Sequence, residues 1–107
     1  MEIIHNKLVR DNIPNIIQSK GQTAEYHILN DKDYKIELLK KLNEECNEVI
    51  NSNNKEELLE ELSDVLEVIK AIGNLENIEL DEIINSAENK RLKNGGFDKK
   101  FYLEKTY

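Results

Sequence analysis

A chain of 107 residues with a net charge of −7 fits one domain with a thin core, and its acidity excludes a general nucleic-acid binder, which needs a basic surface. Apolar residues make up 38% and charged residues 35%, with no Trp, one Pro and four Gly, a balance that points to a solvated helical protein rather than a sandwich or barrel. The lone cysteine, Cys46, excludes an internal disulfide and suits a reducing compartment. Its position beside apolar neighbours reads as a packed thiol, and no His nearby makes it a nucleophile.

In chain order, "MEIIHNKLVRDN" lacks the apolar centre of a signal peptide, and no later run approaches the roughly 20 apolar residues of a membrane span. A cytoplasmic location and no membrane partner are expected. "KLVRDNIPNIIQSKGQ" predicts a short first helix, with Pro14 in its first turn and Gly21 at its stop. "TAEYHIL" predicts an extended strand or arm. A long second helix runs from an N-cap at Asp31 to about Asn51, with Leu39, Leu42, Cys46 and Val49 recurring at steps of three and four.

"NSNN" breaks that helix. Asn54 with Glu57 three later predicts a capping-box start for a third helix, whose Leu58, Leu62, Val65, Ile69 and Ile72 form a core seam. Gly73 and "NLEN" end it. A fourth helix covers roughly Leu80 to Asn94, "GG" closes it, and the tail is expected to pack through Phe97, Phe101 and Tyr102. The fold class is all-α: a single-domain bundle of four helices around two long antiparallel ones.

Two acidic pairs stand out on the long helices: Glu45 with Glu48, and Glu61 with Asp64. At 100° per residue, Glu45 and Glu61 fall roughly 70–80° from the centres of their apolar stripes, and Glu48 and Asp64 roughly 130–140°. Each pair thus begins at the shoulder of the seam and fans toward solvent. Antiparallel packing would bring the two shoulders together, so that four carboxylates face one cleft. At about 4 Å, two such charges repel by roughly 4 kcal/mol at an intermediate dielectric, so the group must hold protons or a cation. All-oxygen donors favour Mg²⁺, Mn²⁺ or Ca²⁺ over zinc, and carboxylate-held Mg²⁺ suits phosphate esters and anhydrides. Glu44, Glu60 and Glu67 lie further from the seam, on a solvated face, with Glu44 a minor candidate for orienting water. A di-iron bundle would need Glu-x-x-His pairs, and neither acidic pair ends in His; His5 and His27 lie outside the long helices. A non-enzymatic helical interaction module, with the acids as mere surface, is the remaining rival.

"EECNE", twelve residues, then "ELSD" resembles the EExxE…ExxD signature of the all-α nucleoside triphosphate pyrophosphohydrolases, the MazG-like superfamily. "KLVRDNIPNII" and "KRLKNGGFDKKFYL" resemble the opening and closing blocks of a stand-alone, phosphoribosyl-ATP pyrophosphohydrolase-like branch. The resemblance spans Lys7 to Leu103. It implies a helical bundle that forms a homodimer or higher homo-oligomer. It implies a Mg²⁺-dependent enzyme, with Mn²⁺ as a substitute, that splits a nucleoside triphosphate between its α- and β-phosphates into monophosphate and pyrophosphate. Carried onto the motif, the metal-holding and catalytic residues are Glu45, Glu48, Glu61 and Asp64. Water would attack in line at the α-phosphorus. Lys90 and Arg91 are the first candidates for the phosphates and Lys7 and Arg10 the second, ahead of Lys93, Lys99 and Lys100. Where the family often has arginine just before the glycines, this chain has Asn94. Phosphoribosyl-ATP pyrophosphohydrolases carry a Tyr-His pair after the motif aspartate, whereas Asp64 is followed by "VLEVIKAIG". Non-canonical or surplus nucleotides are therefore the expected substrates, ahead of phosphoribosyl-ATP. Tyr26, Tyr34 and Phe97 are available to stack on a base.

Overall fold

The computed structural model describes residues 1–107 as four helices and no strand: α1 (Ile13–Ser19), α2 (Asp31–Ile50), α3 (Lys55–Leu75) and α4 (Leu80–Asn94). The segments before α1 and between α1 and α2 are arms, not strands. Local chemistry sets the boundaries. Asn30, rather than Asp31, caps α2, its Oδ1 accepting from the Asp33 N–H at 2.8 Å. Both residue types cap well, and the chain turns helical one residue earlier than the acid suggested. Asn54 caps α3 through the Glu57 N–H at 2.9 Å, while the Glu57 carboxylate reaches back one residue further and accepts from the Asn53 N–H. In α4 the Glu82 carboxylate accepts from the Glu79 N–H at 3.3 Å.

Helices α2 and α3 form an antiparallel hairpin. The ion pair Lys35–Glu76 near its open end and the approach of Glu45 to Glu61 near its turn fix the register. That register sets Leu38 and Val68 at about the same level, and they are the two apolar side chains that the chain buries, at 3% and 8% exposure. The packed face of α2 therefore runs Leu38, Leu42, Glu45, Val49, and that of α3 runs Glu61, Asp64, Val65, Val68, Ile72. This corrects the predicted seam. Leu39, Leu58 and Leu62 are exposed, and so is Cys46, the expected packed thiol.

The reason is a second apolar stripe on each helix. Ile36, Leu39, Cys46 and Ile50 line one side of α2, and Leu58, Leu59, Leu62 and Leu66 one side of α3, each roughly 100° from the packed face. Periodicity registers both stripes and averages them.

Gly73 belongs to α3 rather than ending it. A Cβ there would stand 2.9 Å from the Ile78 carbonyl oxygen and 3.0 Å from the Ile83 Cδ1. The missing side chain lets the α3–α4 turn fold back, with the Ile78 N–H donating to the Gly73 carbonyl at 2.8 Å and Asn77 in the left-handed region at φ 59°. Beyond Ile83, α4 leaves the hairpin and every residue is exposed. Gly95, at φ 86° and ψ 173°, takes a conformation that is essentially glycine's alone and turns the tail away. Phe97, Phe101 and Tyr102, expected to pack, are each more than four-fifths exposed.

The result is extended, 62 × 35 × 25 Å, with a radius of gyration of 18.3 Å. A compact chain of this length has a radius of about 13 Å. No helix is long and apolar enough to cross a membrane.

Candidate active site

Rotation of the packed face places the carboxylates. Glu45 projects from α2 into the hairpin, its side chain only 14% exposed, and Glu61 and Asp64, three residues apart, project from α3 toward it. One carboxylate oxygen from each of the three lies within 4.8 Å of the other two. Asp64, which the sequence pattern turned furthest from the seam, is thus half-buried beside Glu45. Glu48 stays exposed and outside this trio, yet its charge acts on Glu61. Glu44, Glu60 and Glu67 are exposed, as their spacing suggested.

Two cations bracket the trio. The Arg10 Nη2 donates to the Asp64 Oδ1 at 2.6 Å, and the Lys41 Nζ lies 3.7 Å from the Glu45 Oε1. Glu61 has no cation partner. Desolvation first, then the charges of Glu48, Asp64, Glu45 and Glu60, hold its carboxyl above the usual range. The cluster is therefore only partly neutralised by its own chain.

The donor set suits a hard divalent cation. It is all carboxylate oxygen, without His or Cys. Oxygens around one Mg²⁺ stand at most about 4.2 Å apart, so the observed span closes with small side-chain adjustments.

The basic candidates separate. Arg10 is at the carboxylates. Lys7, on the same arm, lines a cavity against α2. Lys90 lies along an open groove on α4 with Ile78 and Ile83, and Arg91 pairs with Asp98 at 3.4 Å and packs over Gly96. Neither of these two makes an ion pair with the carboxylates. Sequence reasoning passed over Lys41, although a lysine four residues before a motif glutamate is a readable signal. Tyr34 is half-buried, while Tyr26 and Phe97 are exposed.

A family model described as phosphoribosyl-ATP pyrophosphohydrolase matches residues 15–91, which include both acidic pairs and α2 to most of α4. The chain belongs to this family. It is a pyrophosphohydrolase, a hydrolase acting on phosphoric anhydrides, and the family assignment excludes the interaction-module and di-iron readings. No curated protein and no solved structure matches the chain. Family membership gives the trio its chemical context. A nucleotide is a consistent substrate, and the three clustered carboxylates are a group able to hold the divalent cation such a substrate brings.

Proposed function

We propose that the protein is a Mg²⁺-dependent nucleotide pyrophosphohydrolase that cleaves nucleoside triphosphates between the α- and β-phosphates and clears non-canonical or surplus nucleotides. The observation that carries this is the meeting of Glu45, Glu61 and Asp64 oxygens within 4.8 Å inside a chain of the pyrophosphohydrolase family. Glu45, Glu61 and Asp64 hold Mg²⁺, and Glu48 completes the set from the solvent side. When bound, Mg²⁺ neutralises phosphate charge and lowers the pKa of a coordinated water.

The chain's own groups do the rest. The hairpin keeps the carboxylates preorganised, so little reorganisation accompanies reaction. Water bonds to the α-phosphorus, the bond from that phosphorus to the bridging oxygen breaks, and pyrophosphate leaves with the bond's electron pair. A carboxylate of the set takes the water's proton and passes it to solvent. Arg10, exchanging Asp64 for phosphate, supplies a bidentate cation to the substrate.

Phosphoribosyl-ATP is the second substrate reading, favoured by the family description itself. Against it stands the absence of a Tyr-His pair after Asp64.

A homodimer or larger homo-oligomer is part of the proposal. The chain exposes 10058 Å², whereas a compact monomer of its 12.5 kDa mass exposes about 6,200 Å². The excess exceeds the roughly 800 Å² per partner of an ordinary interface several-fold. The second apolar stripes on α2 and α3 are the surfaces a partner copy would cover. The protein would act as a single-domain enzyme in the cytoplasm, where an exposed lone thiol such as Cys46 stays reduced.

The test is a panel of standard and modified nucleoside triphosphates plus phosphoribosyl-ATP, assayed with Mg²⁺ for pyrophosphate release. Turnover of at least one member is expected, with Asp64→Asn and Glu48→Gln each slowing it about a hundredfold or more. A folded wild type that hydrolyses none of them overturns the proposal, and full activity in both variants overturns the residue assignment.

A further inference from the structure

A second cluster of charge lies against the first. The arm before α1 lies against the middle of α2, and the two bound a partly open cavity of about 140 Å³. Three lysines line it: Lys7 from the arm, and Lys40 and Lys41 from α2. Leu8, half-buried, supplies apolar wall, and Glu37 and Glu44 supply the two carboxylates. Both carboxylates are already engaged along the helix, Glu37 with Lys40 at 3.1 Å and Glu44 with Lys41 at 3.6 Å. Lys7 has no carboxylate within ion-pair distance. Among the lining residues lysines thus outnumber carboxylates three to two, in a chain whose net charge is −7, with Lys41 shared with Glu45 of the trio.

Its position gives that charge a use. Lys41 forms a wall shared by the cavity and the carboxylate trio: it lines the former and stands 3.7 Å from the Glu45 Oε1 of the latter. Its side chain is only 22% exposed, so its ammonium is confined to this boundary rather than free in solvent. A cation on the trio satisfies Glu45 and removes Lys41's reason to face it. The freed ammonium then has the cavity as its near alternative. A polyanion with one phosphate at the trio and Arg10 extends its other phosphates either to solvent or toward this cavity, and the cavity offers further counter-charge. Arg10, on the same arm as Lys7 and bonded to Asp64, bounds the trio beside it.

We infer that this cavity is the subsite for the pyrophosphate leaving group, with Lys41 as the cation that passes from Glu45 to the departing phosphates and Lys7 and Lys40 as its companions. The inference rests on the pyrophosphohydrolase reading above and adds residues to it. Charge that grows on the leaving oxygens is met by Lys40 and Lys41, which the uncomplexed protein holds on carboxylates, and by Lys7, which has no such partner.

The experiment compares the two products as inhibitors and as titrants, in Mg²⁺, on wild type and Lys41→Met. Inorganic pyrophosphate should bind the variant roughly tenfold or more weakly, the scale of a lost charge-assisted contact. The nucleoside monophosphate should bind within about twofold of wild type, and kcat/KM for the triphosphate should fall. Lys41→Arg should restore most pyrophosphate affinity. Mg²⁺ affinity, followed by calorimetry, should be retained, which separates a phosphate contact from a mere prop for Glu45.

Unchanged pyrophosphate binding overturns the inference. So does equal weakening of both products, or loss of Mg²⁺ affinity in step with pyrophosphate. Lys7→Met, at an exposed position that makes no hydrogen bond or ion pair, repeats the comparison should Lys41→Met fold poorly, and a selective loss of pyrophosphate binding is again required. A wild type that turns over no substrate defeats the functional reading, while direct pyrophosphate titration of wild type and variant still decides the subsite.

Discussion

The α2–α3 hairpin and the limb formed by α4 and its tail obey different physics. In the hairpin, side chains far apart along the chain, from Glu45 and Glu61 near the turn to Lys35 and Glu76 at the open end, meet across a packed face, and that face carries both the two buried apolar residues and the carboxylate trio. The limb has one point of attachment, the turn that folds back over Gly73, and no residue of α4 is buried. Yet α4 has its own caps and the tail its own aromatic residues. Strong local signals make a helix without giving it anything to rest on. The difference teaches that the hairpin is specified by the chain itself, whereas the limb is only half specified until something covers it.

The largest test of this contrast is on the hairpin's outer stripe. Leu62 is 49% exposed in the single chain, so Leu62→Glu should leave the hairpin's helicity intact. It should weaken self-association by about 2–4 kcal/mol, as truncating an interface anchor does, measured by sedimentation equilibrium. An unchanged mass would show that the stripe is not the covered surface.

Gly73→Ala is next. The added Cβ must meet backbone at the Ile78 carbonyl and cannot be relieved by turning a side chain. A cost of about 1–3 kcal/mol is expected, read from thermal or denaturant unfolding. Mg²⁺ affinity should persist, because the carboxylates lie on the hairpin and not on the joint. Loss of both together would mean that the two regions are not separable.

The smallest effect concerns Glu61. Its carboxyl sits above the usual range, through desolvation and its acidic neighbours, so the folded state binds that proton more tightly than the unfolded one. Its contribution to stability is then present below the ordinary carboxylate range and is lost as pH rises through the raised value. Without metal, Glu61→Gln should melt progressively higher than wild type as pH increases across that window, and Mg²⁺ should reverse the order. A difference that does not change with pH would remove the crowding of the trio from the account.

Much of this was legible in the residues and some was not, for identifiable reasons. Asn54, Gly21, Pro14 and the double glycine mark helix ends by local backbone chemistry, and those boundaries agree with the structure to within a few residues. The rotation of the hairpin was hidden because each long helix carries two apolar stripes. Periodicity alone cannot say which of them faces the neighbour, so Leu38 and Val68 were missed while Leu39 and Leu62 were chosen. Three of the four motif acids still meet, since the true rotation carries Glu45 and Asp64 inward, whereas Glu48, expected to join them, stays outside. The Arg10–Asp64 pair joins positions 54 apart, and no spacing rule reaches so far. The tail's aromatics were read as core because they are apolar, a guide that fails where the chain offers them no surface to pack on.

The near absence of an interior has a consequence for how the protein behaves at different abundances. A chain that shields only Leu38 and Val68 by itself draws little of its durability from its own contacts. In the assembly proposed here, folding is then tied to encounter: for a dimer, each tenfold dilution removes about 1.4 kcal/mol from the assembled state. Scarcity alone would dismantle the enzyme, and plenty would build it, without any dedicated regulator.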